Sequence, residues 1–253
     1  MLNLRIFILI LMISVAVSGC EKKDIESETR RTKEEQIRKE AVMGVTIQWL
    51  GHASFRICYE DKVVYIDPWK IKEPVGDATL VLVSHSHYDH YSAEDMAKVS
   101  GADSKLIASA DVVTKEKAGE AVLPGLTVEL EGIRVTGVPA YNPAKQYHPK
   151  GNNWIGFVIE IGAKRIYYAG DTDLTDEMKA LKDIDVALLP VGGTYTMSAK
   201  EAAEAANSIE PRLAIPYHWG DIVGGRSDAE QFGEQVKCNV KILSPGETVI
   251  VEE

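Results

Sequence analysis

The segment VLVSHSHYDHYS, residues 81–92, places His85, His87, Asp89 and His90 within six positions, directly after the apolar run TLVLV. The chain holds only six histidines, so half of them stand in this one stretch. An aliphatic and β-branched run of that length reads as a buried strand, which puts the histidines at its end, where a loop can carry ligands without breaking the core. Imidazole and carboxylate crowded together suit zinc and its first-row neighbours, and the lack of thiolates among them points away from a closed structural zinc site.

Two more strand ends carry the same chemistry. Asp171 follows RIYYAG, and His218 follows LAIPY. These donors outnumber what one tetrahedral ion can use, so a pair of divalent ions is the natural count, each keeping a position open for water.

The rest of the chain supplies a frame for them. VTIQWL, SFRICYE and KVVYID are short, alternating or β-branched, and separated by GHA and EDK, which reads as an antiparallel meander. TLVLVSH, SAEDMAKVS, KLIASA and DVVTKEKAG then alternate strand and helix. The second half repeats the order, with strands at GIRVTGVPA, WIGFVIEI and KRIYYAG, a helix at TDEMKALKD, a strand at DVALLPV, a helix at AKEAAEAANS, a strand at LAIPYH and a last helix before VKILSP. Strand groups followed by helices, twice over, predict an α/β (α+β) fold with two sheets face to face and helices outside. Ser92 with Asp95, Ser198 with Glu201, and Ser227 with Glu230 each have the spacing of a capping box at a helix start.

Composition limits the function. The chain has 253 residues, 45% hydrophobic, enough for one full core, and a formal net charge of −10 that makes nucleic acid an unexpected partner. Residues 1–20, MLNLRIFILILMISVAVSGC, combine Arg5, an apolar run from Ile6 to Val17 and a small-residue exit at Cys20. They resemble a lipoprotein signal in which Cys20 is lipidated, so the expected location is extracytoplasmic and membrane-anchored. Residues 21–43 read as a charged stalk, with seven basic and seven acidic side chains in 21–40, and the folded domain is expected over 44–253. Cys58 and Cys238 read as inert buried thiols, with a disulfide as the alternative in that compartment. No feature sets the oligomeric state.

HSHYDH, with AGDT and PYHWG downstream, resembles the metallo-β-lactamase superfamily, and WLGHASF, YIDP, GFVIE and LLPVGGTYTM are similar to its branch of L-ascorbate-6-phosphate lactonase-like proteins and, more distantly, N-acylphosphatidylethanolamine phospholipase D. The resemblance spans roughly residues 45–250. It implies an αββα sandwich of two mixed β-sheets with a two-metal site at one edge. Carried over residue by residue, His85 and His87 hold the first metal, with His148 in YNPAKQYHPKGNNW as the third ligand; Asp89, His90 and His218 hold the second, and Asp171 bridges. Asp67 in YIDPW is then a carboxylate orienting a ligand histidine, and His52 in LGHAS stands beside the metals.

The implied activity is hydrolysis of a small or lipid-derived ester, lactone or phosphodiester by a hydroxide shared between two divalent ions, zinc first, manganese or iron as alternatives. Asp89 would orient the hydroxide while ligating, and a protonated His52 would assist the leaving group. Tyr195 either faces the pocket or packs, and Trp154 and Trp219 are either pocket walls or core. β-Lactamase activity is not implied, because one fold hosts many hydrolyses. The alternatives are a nuclease of the same fold, against which the acidic body weighs, and a metal-binding surface lipoprotein without turnover. An oxygen-reducing di-iron protein fits poorly, since that group carries Glu where His87 stands.

Overall fold

The computed structural model describes residues 44–252; the signal-type segment 1–20 and the stalk 21–43 lie outside the described residues. Strands β1 (Gly44–Gly51), β2 (Ser54–Tyr59) and β3 (Lys62–Ile66) form the expected antiparallel meander, with Ile47 opposite Ile57 and Ile57 opposite Val64. The sheet continues in parallel through β4 (Ala78–Val83), β5 (Ser100–Ala108) and β6 (Glu120–Ala121). In the second sheet β7 (Thr127–Leu130), β8 (Ile133–Pro139), β9 (Ile155–Ile161) and β10 (Lys164–Tyr168) are antiparallel, and β11 (Val186–Pro190), β12 (Leu213–Tyr217) and β13 (Asn239–Val240) run parallel to β10. β14 (Thr248–Glu252) returns to the first sheet beside β1, so each mixed sheet has seven strands.

The side-chain alternation of β4 shows why its sequence is an unbroken apolar run. Leu80 and Leu82 join the core between the sheets, while Val81 and Val83 turn to a second cluster with Met96, Val99 and Val112 of helices α1 (Ala93–Val99) and α2 (Ala110–Glu116). A strand buried on both faces has no solvent face to make polar. β11, VALLP, is buried at every position for the same reason. The remaining helices are α3 (Asp176–Lys179), α4 (Ala199–Ile209) and α5 (Arg226–Gln235). α4 buries Ala199, Ala202, Ala203, Ala206 and Ile209, one helical stripe of mostly small residues that packs into the main core. Truncating a fully buried inter-sheet ring such as Phe157 to alanine should cost about 3–5 kcal/mol.

Some local expectations change. Ser198 and Glu201 form the full reciprocal box at α4. Ser92 caps α1, but the Asp95 carboxylate accepts from Lys70 N (2.8 Å) and Lys98 Nζ (2.9 Å) instead of closing the box. The expected Ser227–Glu230 box is absent. α5 starts at Arg226, so Gly225 is the cap, its N–H donates to Asp228 Oδ2 (2.7 Å), and Glu230 pairs with Arg226 one turn earlier. The helix expected over 175–183 shrinks to Asp176–Lys179. Cys58 and Cys238 are free and only half buried.

The topology decides where function can sit. β3, β4 and β5 are parallel, as are β10, β11 and β12, so their C-terminal ends gather at one rim. Asp67 follows β3, Ser84 to His90 follow β4, Asp171 lies past β10 and His218 directly follows β12. Ligand sites favour such carboxyl ends.

Candidate metal centre

Each half of the rim brings imidazoles together. His85, His87 and His148 offer one ligand atom apiece within 4.8 Å of one another, and so do His52, Asp89, His90 and His218. His85, His90 and Asp171 form a third such group across the middle. Asp171 reaches both halves: Oδ2 lies 3.3 Å from His148 Nε2, and Oδ1 lies 3.2 Å from both His90 Nε2 and His218 Nε2. All the residues singled out from the sequence as ligands therefore meet at one place.

On His85, His90 and His148 the ring nitrogen facing away from the centre is held, whereas His218 Nδ1 is buried without a partner. Asp67 accepts from Ser84 N (2.7 Å), Ser84 Oγ (2.6 Å), Tyr168 Oη (2.6 Å) and His90 Nδ1 (2.7 Å). Because Ser84 Oγ uses its proton on Asp67, it accepts from His85 Nδ1 at 3.0 Å. His148 Nδ1 donates to Asn142 Oδ1 (2.7 Å), which also accepts from His148 N (3.0 Å). With their Nδ1 protons fixed outward, His85, His90 and His148 turn Nε2 towards the centre. There Nε2 of His85, His90, His148 and His218, and Oδ1 of Asp171, are buried without a hydrogen-bond partner. Buried polar atoms are rarely left so, and a converging set of them is what a cation would satisfy. The donor set fits divalent first-row metals.

The electrostatics differ between the ligands, and at His90 a binding cation has to displace a proton. Burial pushes the pKa of His85 well down and that of His87 down, so both are neutral and able to ligate. Burial opposes charge on His90, but Asp171 and Asp67 on either side outweigh it and hold its pKa well above the ordinary value. Burial likewise opposes ionisation of Asp171, yet His218, His90 and His148 hold it well below the usual carboxylate range. Asp89 is also held low, the hydrogen bond from His52 and the neighbouring histidines overcoming its burial.

His52 is buried and its pKa lowered, chiefly by desolvation, so its Nε2–H donates to Asp89 Oδ2 at 3.0 Å. Its carbonyl accepts from His218 N (3.1 Å) and Trp49 Nε1 (3.0 Å). His52, Asp67 and His218 have φ of 47°, 43° and 63°. Non-glycine residues in this left-handed region cost on the order of 1–2 kcal/mol each, and such strain clusters at functional sites.

A cavity of about 250 Å³ opens on the centre, lined by His87, Asp89, His148 and Asp171 and by Tyr88, Tyr147, Tyr195 and Ile222. Tyr195 thus faces the pocket. Trp154 packs against His85, His87 and His148 at 4.9, 4.7 and 5.7 Å between ring centroids. Trp219 instead packs on Trp49 at 4.8 Å and does not line this cavity. Sequence reading did not single out Ser84, Asn142 or Tyr168. Of these only Asn142 carried a signal, six residues before His148 in the same loop.

A seven-plus-seven-stranded sandwich with a His/Asp cluster on its rim defines a metallo-β-lactamase-type hydrolase. The family model described as the Beta-lactamase superfamily domain matches residues 46–218, which include every ligand candidate. A UPF0173 metal-dependent hydrolase of Thermococcus onnurineus is 34% identical over 225 residues, covering 80% of this chain and 98% of the relative. One from Pyrococcus abyssi is 36% identical with the same coverage. Among solved structures, the metallo hydrolase Igni18 of Ignicoccus hospitalis shares 25% identity at a TM-score of 0.69, covering 83% of this chain and 99% of that one. The chain belongs to the metallo-β-lactamase superfamily and, within it, to the UPF0173 metal-dependent hydrolases.

Proposed function

We propose that this metal-dependent hydrolase is binuclear, with His85, His87 and His148 holding one divalent ion, Asp89, His90 and His218 the other, and Asp171 both, and that it cleaves a small or lipid-derived ester, lactone or phosphodiester. The support is the set of buried, unpartnered Nε2 and Oδ1 atoms converging from two sheets while the Nδ1 atoms of His85, His90 and His148 are pinned outward. Ions bound there supply a water-derived nucleophile at neutral pH and stabilise the oxyanion charge that develops on the substrate. Zinc suits the imidazole and carboxylate donors, as do manganese and iron.

The chain's own groups do the positioning. Asp171 offers one carboxylate oxygen to each half. Asp89 is ionised, and its Oδ2 faces His90 Nε2 (3.8 Å) and His218 Nε2 (4.0 Å) while accepting from His52. We assign neutral His52 a positioning role, in place of the protonated leaving-group acid expected from sequence. It fixes Asp89 through its ring and His218 through its carbonyl. Tyr147 and Tyr195, 4.7 Å apart and perpendicular, wall the cavity.

The test is a panel of esters, lactones and phosphodiesters assayed with protein purified without chelators, then stripped and reloaded. Turnover that disappears on stripping and returns on reloading is expected. Turnover that survives stripping, or none across the panel in fully loaded protein, overturns the proposal.

A further inference from the structure

The walls of the cavity bear on the substrate beyond the scissile bond. Past the four ligand residues its lining is Tyr88, Tyr147, Tyr195 and Ile222, and no lysine or arginine contributes to it. Tyr88 is 68% and Tyr147 41% exposed, large rings left partly in water at the mouth. Lys145, Lys70 and Lys150 are paired with carboxylates, and Lys115 Nζ, 3.5 Å from Ser86 O, stands over the Tyr91 ring and outside the lining. Lys145 Nζ is bound to Asp173 Oδ1 (2.7 Å), Thr196 O (2.6 Å) and Gly193 O (3.2 Å), and Lys70 Nζ grips both oxygens of Asp221 at 3.0 and 2.8 Å. Lys150 Nζ pairs with Glu177 Oε1 at 2.8 Å.

A phosphate carried away from the reacting bond needs such cations or a nest of backbone N–H groups, and the net charge of −10 adds repulsion. An acyl chain or an aromatic ring needs what is present, apolar surface with ring faces and edges. Resting on the hydrolase reading above, we propose that the substrate of this site carries an apolar acyl or aromatic group beside its scissile bond, packed between Tyr88 and the Tyr147–Tyr195 pair, and no distal phosphate. Tyr147 and Tyr88 are specificity residues: they touch the flanking group and not the reacting atoms.

The experiment uses metal-loaded protein with acetyl, hexanoyl, phenylacetyl and ω-phosphohexanoyl esters of one alcohol. In parallel, binding of the neutral ligand phenylacetamide is followed by ligand-observed NMR, which needs no turnover. The hexanoyl and phenylacetyl esters should exceed the acetyl and phospho esters in kcat/KM by about tenfold or more, the usual discrimination of an apolar pocket. Tyr147→Ala should remove that margin mainly through KM, the acetyl ester losing far less than the hexanoyl and phenylacetyl esters, and should weaken phenylacetamide binding by about tenfold. A phospho ester handled as well as the hexanoyl ester, or a preference and a phenylacetamide affinity unchanged in both Tyr147→Ala and Tyr88→Ala, overturns the proposal. If no ester is turned over but phenylacetamide binds and is lost with Tyr147, the apolar collar stands and the hydrolase reading fails.

Discussion

The two halves of the proposed metal centre are built from different donors. His85, His87 and His148 are three imidazoles, two of them pinned by neutral oxygens, Ser84 Oγ at 3.0 Å and Asn142 Oδ1 at 2.7 Å. His87 is half buried and, among the described residues, no hydrogen bond holds its ring. The other half has Asp89, His90 and His218, all buried, and His90 is pinned by a carboxylate, Asp67, that is itself held by Ser84 and Tyr168. An anionic ligand and a carboxylate-backed imidazole bind a cation more tightly than neutral imidazoles on neutral partners. The Asp89–His90–His218 half should therefore keep its ion longer, and the half with half-buried His87 on the cavity should exchange first.

Asp171 is the point at which that asymmetry can be erased, because its two oxygens serve both halves. Asp171→Ala should give the largest effect: less than one ion retained per chain and kcat down by several orders of magnitude, read by elemental analysis and steady-state kinetics. Full metal content in this variant would show that the two halves are independent. Asn142→Ala should widen the contrast and Asp67→Asn narrow it, the first lowering affinity about 10–100-fold in the His148 half and the second mainly in the His90 half, with a smaller loss at His85 through Ser84, as measured by competition with a chromogenic chelator. Equal loss from both halves in either variant would mean that the outward hydrogen bonds do not set the difference. His52→Ala should act more mildly and only on the Asp89 half, with His52→Gln, which keeps a donor, recovering most of the affinity; a loss that Gln does not recover argues against positioning through Asp89.

How much of this a reader of the sequence could see depends on where the partners lie in the chain. His85, His87, Asp89 and His90 are local to one strand end, so spacing alone exposes them. Asp171 and His218 also end strands, but His148 sits in the loop between β8 and β9, and only family resemblance marked it. The anchors were harder. Tyr168 lies 101 positions from Asp67 and meets it only because the two sheets pack face to face. Asp67 itself was legible through YIDPW, and its partners were not. In the fold, strands buried along nearly their whole length such as β4 and β11 declared themselves, whereas β6, β7, β13 and β14 did not. Those are two to five residues long and form the edges of the sheets, where none of their side chains is fully buried. The Ser227–Glu230 pair misled because a glycine two residues earlier caps α5 with its backbone N–H, a role no side-chain pattern announces.

Metal release under increasing chelator tests the binuclear, two-sided centre most directly. Wild-type protein purified without chelators should hold close to two first-row ions per chain and lose them in two resolved steps, and His148→Ala should abolish the first step while leaving the second in place. A single ion, a single unresolved step, or a His148→Ala profile identical to the wild type would contradict the assignment of the two halves.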